Sequence, residues 1–254
     1  MRFMYITALL ATISWSTQGS EFNQPEVSVA DPYQVKFLKR QVSQNMSVGM
    51  AIRSIASHYP QDVVSIVDVA LDTYPDKYRE IIYSAISAQP SSTQEIVELA
   101  LNKEVGSCPS IVKLAIQAEP SYVDYIVQAA ANATPDELDE IVRVAVLTEP
   151  NSADYIVQTL SREHPNKLVQ ILSTAIEAVP YVGEYVVDSL LAIFPSQADE
   201  VVTTAIKGSS AQREHVLRIL ESAQDAGVED AKVRQYGIDA GFSEAELAGV
   251  LNDK

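Results

Sequence analysis

Nine of the chain's twelve prolines stand on one fifteen-residue grid: Pro60, Pro75, Pro90, Pro120, Pro135, Pro150, Pro165, Pro180 and Pro195, with Val105 at the one skipped mark. A spacing this strict confines the chain to a repeat fold in which each unit is a single element. With each grid residue counted as position one, positions seven and eight form an aliphatic, mostly β-branched pair in every unit, from Ile66-Val67 to Val201-Val202. Position eleven is Ala in most units and Leu at Leu160 and Leu190, while position four is usually apolar or small, as in Val63, Tyr78, Val123, Leu138 and Leu168. Positions four, seven, eight, eleven and twelve follow the i, i+3, i+4, i+7, i+8 spacing of one helical stripe. A strand needs a period of two, which the adjacent pair followed by polar positions defeats. Val and Ile are weak helix formers alone, but burial outweighs a few tenths of a kcal/mol of propensity.

The turn chemistry gives the helix its ends. The residue after the grid proline is Asp76, Ser91, Ser121, Asp136, Asn151, Asn166 or Ser196, a set expected to accept hydrogen bonds as N-caps. Gln94, Asp124, Asp139, Asp154 and Asp199 follow three residues later in a capping-box-like arrangement. The next proline lacks the N–H a continuing helix needs, and so stops it. A helix of about eleven residues, roughly 16 Å long, is marginal alone and must bury its stripe against neighbours. Position six reveals the pairing: it is Tyr125, Tyr155 and Tyr185 in one class of helix, and Glu80, Glu140, Gln170 and Glu200 in the alternate class. Two units therefore make a thirty-residue hairpin. The expected fold is an all-α α-solenoid of such hairpins, capped at both ends.

The arrangement is similar in kind to tetratricopeptide and other helical-hairpin solenoids over residues 60–220. Its period is shorter than the tetratricopeptide period of about thirty-four residues, and the tetratricopeptide Trp, Gly and Tyr signature is absent. The likeness implies architecture and carries no function.

At the ends the grid gives way to other signals. Residues 1–19 read as a cleavable export signal: Arg2 precedes a low-polarity run, Ile6–Trp15, with a cleavage point after Gly19. Residues 20–59 read as a linker and capping helices, with Asp31 as N-cap, Pro32 at the first helical position and a stripe through Val35, Leu38 and Val42. Residues 60–224 hold the solenoid. Residues 225–254 read as a C-terminal cap of two short helices broken by Gly237 and Gly241. No stretch after the signal is long and apolar enough to span a bilayer. The expected location is periplasmic or secreted, with a cytosolic adaptor that keeps its N-terminus as the alternative.

Charge and motifs narrow the function. A formal net charge of −16 opposes phosphate backbones, so nucleic acid is not an expected partner. Cys108 is the only cysteine, which excludes an intrachain disulfide; it falls on apolar position four, where a buried, inert thiol is expected. No GxSxG, HExxH, P-loop, GxGxxG or EF-hand loop occurs, and His58, His164 and His215 are far apart on the grid. The acidic group Asp136, Glu137, Asp139, Glu140 reads as a solvated first helical turn. No cofactor or metal is expected. The candidate site is the tyrosine row Tyr125, Tyr155 and Tyr185, flanked by Asp124, Asp154, Glu184, Gln128 and Gln158. An aromatic–acidic ladder of this kind suits an extended, basic peptide. The expected function is an exported, non-catalytic scaffold that binds other proteins or its own copies. The alternative is an enzyme accessory or a small-molecule or peptide binder that uses the concave face or the C-terminal module.

Overall fold

The computed structural model describes residues 30–249 and 251. The expected export signal lies outside them. Among the described residues there are fifteen α-helices and no strand. They are α1 (Pro32–Ser43), α2 (Val48–His58), α3 (Val63–Thr73), α4 (Tyr78–Ala88), α5 (Thr93–Asn102), α6 (Cys108–Ala118), α7 (Val123–Ala133) and α8 (Leu138–Thr148). There follow α9 (Ala153–Glu163), α10 (Leu168–Ala178), α11 (Gly183–Ile193), α12 (Ala198–Ser209), α13 (Arg213–Asp225), α14 (Asp230–Asp239) and α15 (Glu244–Ala248). Each helix from α2 to α11 packs on the next helix and on the next but one, so even-numbered helices stack in one layer and odd-numbered helices in the other. This is the helical-hairpin solenoid. The seven-eight pairs and position eleven are fully buried in every unit from Ile66 to Ala205, and they join one core running from Leu38 to Leu251.

The turns differ from expectation. Each grid proline opens a three-residue 3₁₀ turn, such as Pro75–Lys77, and the α-helix begins at position four. The residue before the proline leaves helical space, as at Tyr74 (φ −133°, ψ 57°) and Glu149 (φ −135°, ψ 73°), because the proline ring excludes the α region for its predecessor. That one residue caps both helices through its backbone. The Tyr74 N–H donates to the Ala70 carbonyl at 2.8 Å, and its carbonyl accepts from the Lys77 N–H at 2.9 Å. The expected side-chain caps after the prolines are therefore not made. Those residues already lie inside the 3₁₀ turn, whereas an N-cap must stand outside helical space. Ser91 and Ser121 bond instead to the side chains of Gln89 and Glu119. The one capping box among the described residues is Ser243–Glu246 at α15. Asp31 caps α1 as expected, accepting from the Tyr33 N–H at 2.8 Å.

Where the grid skips its proline, residues 103–107 make a longer turn. Lys103 pins it to α3 through Asp68 at 2.7 Å and Asp72 at 2.5 Å. Burial pulls the Lys103 pKa down, but the bonds and charges of the two carboxylates outweigh it and hold it above the ordinary value. Cys108 is buried at the start of α6, where burial pushes its thiol pKa up despite the Thr134 hydroxyl at 3.2 Å.

At the C-terminal end the glycines divide. Gly227 (φ +88°) and Gly241 (φ +86°) terminate α13 and α14 in the left-handed conformation that glycine adopts without strain. Gly237, expected as a break, instead lies buried inside α14 with Leu247 of α15 seated against it. The α15 cap is held by Glu246, which accepts from the Ser243 N–H (2.8 Å), the Ser243 hydroxyl (2.7 Å) and Arg213 (2.9 Å). The Ser243 bonds, with help from Arg213, hold the Glu246 carboxyl down at about 2. Because the folded pKa lies below the ordinary carboxylate value, this stabilisation is complete above about pH 4.5 and is lost as pH falls towards 2. Methyl NMR should show Leu247 losing its buried environment over that window. Glu246→Gln should remove the dependence and leave the cap weakened at neutral pH.

Candidate partner-binding face

The stacking of α7, α9 and α11 places Tyr125, Tyr155 and Tyr185 at one position of three successive odd-layer helices. Position six borders the buried pair, so each ring sits at the edge of the core. Tyr125 and Tyr155 are 46% and 60% exposed, and the Tyr125 ring leans on Tyr122 with centroids 5.6 Å apart. Tyr185 departs from them. It is half-buried, and its hydroxyl donates to the Pro150 carbonyl of the preceding hairpin at 3.1 Å. Burial, with Tyr181, Asp154 and Glu184 nearby, pushes its pKa up to about 12.

The flanking residues divide in the same way. The Gln128 amide donates to Glu163 of α9, and Glu184 pairs with Arg218 of α13 at 3.3 Å. With Tyr185, these two join neighbouring hairpins. Asp124, Asp154 and Gln158 are partly exposed and make no hydrogen bond or ion pair within the described residues, and Asp154 lies near Tyr185 of the next hairpin. The row is bounded: Glu95 holds the equivalent position in α5, and the half-buried His215 holds it in α13.

Sequence reasoning missed the rungs that tie hairpins together. Besides Lys103 to Asp68 and Asp72, the Gln170 amide donates to both oxygens of Asp139 at 2.8 Å, and Lys232 reaches Asp199 at 3.2 Å. These partners lie 31 to 35 residues apart, so pairing of polar residues about one hairpin apart was the available signal. Near the C-terminus, Lys207, Arg213, Tyr236, Asp239 and Phe242 line a half-open groove of about 390 Å³, with the Arg213 guanidinium 4.1 Å over the Phe242 ring. No described helix is long and apolar enough to cross a membrane.

Fold and face together define an α-helical repeat protein with one partly exposed aromatic row. No known protein family matches the chain, and neither a curated protein nor a solved structure matches it.

Proposed function

We propose that the chain is an exported, non-catalytic scaffold, periplasmic or extracellular, that holds protein partners or its own copies. The odd-layer row is the partner site of this reading. The observation that supports it is the repetition, one hairpin apart, of an exposed tyrosine preceded in sequence by a partly exposed carboxylate: Tyr125 after Asp124, and Tyr155 after Asp154. Rigid aromatic side chains give large contact area at low entropic cost, and the acids select a basic, extended segment. Export rests on the sequence of residues 1–19.

Affinity capture from the native envelope and medium tests the site. Tyr125→Ala with Tyr155→Ala should weaken partner retention at least about tenfold, since an aromatic anchor is worth more than 1 kcal/mol, without moving the thermal midpoint. Tyr185→Ala should lower stability, because its hydroxyl bridges two hairpins. Full retention by the folded double variant would remove the row as the site. The C-terminal groove supports the second reading, a small-molecule or peptide binder. Phe242→Ala would then abolish ligand binding while the tyrosine variant kept it.

A further inference from the structure

The two ends of the stack carry net charges of opposite sign. Residues 30–58, which hold α1 and α2, carry four bases (Lys36, Lys39, Arg40 and Arg53) against Asp31, a net of +3 in a chain of net −16. Residues 213–249, which hold α13 to α15, carry eight acids against four bases, a net of −4. Lys36, Lys39 and Arg40 recur at helical spacing on α1, so they share the exposed face opposite the buried Leu38. Apolar groups are exposed on the same two helices: Tyr33 of α1 is 82% exposed and Met50 of α2 is 62% exposed. In the interior each hairpin is covered by the one before it, whereas no described residue covers this one.

A groove of about 350 Å³ opens between α1 and the end of α2, walled by Tyr33, Phe37, Ile55, His58 and Tyr59. Gln34 also lines it and is only 6% exposed. Its amide nitrogen donates to Asp62 at 2.7 Å, which fixes the orientation of the group, and its carbonyl oxygen is buried with no hydrogen-bond partner. A buried acceptor left unpaired is costly, so this wall of the groove is incompletely satisfied in the single chain.

We propose that the N-terminal end docks the C-terminal end of a second copy, so that solenoids join head to tail. This rests on the scaffold reading but uses a surface separate from the tyrosine row. The occupant follows from charge and position. The +3 end is basic on a strongly acidic molecule, so its complement lies on a second copy, and the acidic C-terminal segment (net −4), with Ile238 of α14 exposed, is the other end of the stack, with no described helix packed beyond it. Two different patches in contact form a heterologous interface, which extends as an open chain unless its rotation closes a ring. Salt dependence should be bell-shaped. The acidic middles repel one another at low ionic strength, but about 0.15 M salt screens beyond about 8 Å and leaves contact pairs intact. High salt then weakens those pairs as well.

Sedimentation velocity and light scattering on the purified chain, its N-terminus read by mass spectrometry, test this. Mass should rise with concentration and peak near 0.15 M salt. The triple variant Lys36→Glu, Lys39→Glu, Arg40→Glu should weaken association at least about tenfold, as should Glu221→Lys, Glu229→Lys, Asp239→Lys; mixing the two should restore it. Tyr33→Ser, at a site too exposed to affect folding, should weaken association several-fold with an unchanged thermal midpoint. A strict monomer throughout, or undiminished association of the first triple variant, would overturn the proposal. So would wild-type binding to anionic phosphatidylglycerol vesicles without self-association, which would make the basic face a lipid site. A monomer that still captures partners through Tyr125 and Tyr155 ends the head-to-tail contact alone. Assembly without such capture ends the tyrosine site alone.

Discussion

Ile141→Ala should cost about 3–4 kcal/mol and split the urea transition of this chain in two. Ile141 is fully buried at position seven of α8, the even-layer helix packed between α6 and α10 and touching α7 and α9. Its surroundings are β-branched pairs of the same kind, held by restricted χ1 rotamers, so the cavity collapses poorly and the upper part of the usual Ile→Ala range applies. The stack adds a second effect. Each unit touches only near neighbours, so cooperation between the two halves passes through the middle interfaces. Weakening α8 uncouples them, while Ile52→Ala in the terminal α2 removes the same side chain but frays one end. Urea titration followed by circular dichroism should show two transitions for Ile141→Ala and one for Ile52→Ala. A cost under about 1 kcal/mol at Ile141 would mean that position seven is not the seam of the stack.

That seam was legible because one period carries several kinds of information together. The pairs Ile66-Val67 to Val201-Val202 recur with the prolines, and from Tyr125 to Glu200 position six alternates between tyrosine and Glu or Gln with a thirty-residue period. Helix, hairpin and layer follow from those regularities. The caps were not legible. Asp76 or Ser91 after a proline looks like an N-cap, and only the backbone shows that the preceding residue has taken over that task. The site was legible in outline, since the tyrosines do align. What separates Tyr185 from Tyr155 is the Pro150 carbonyl, a backbone group 35 residues away, which no side-chain pattern reports. The rungs from Lys103 and Gln170 were hidden for a related reason: they depend on the offset between stacked hairpins, which the period alone leaves open.

Gly237 is where a pattern reading and the packing predict opposite signs. If it only interrupted a helix, Gly237→Ala would stabilise the C-terminal cap by up to about 1 kcal/mol through helix propensity. The structure predicts a loss. A β-carbon there would lie 2.5 Å and 2.8 Å from the two Leu247 methyl carbons and 3.2 Å from the branch carbon that bears them. Because the branch point is crowded as well as the methyls, a rotamer change does not clear the overlap, and α15 must shift. Overpacking of this kind costs about 1–3 kcal/mol, so Gly237→Ala should be net destabilising by about 1–2 kcal/mol. Gly237→Val should reach about 2–3 kcal/mol by expelling Leu247, which is fully buried in the wild type. Hydrogen exchange should localise the loss to α14 and α15 and leave α6 to α10 unchanged, since interactions in a stack extend only to near neighbours. Stabilisation by Gly237→Ala would return this residue to the role of a helix interrupter. It would also detach α15 from the core that the acid sensitivity of Glu246 otherwise shares.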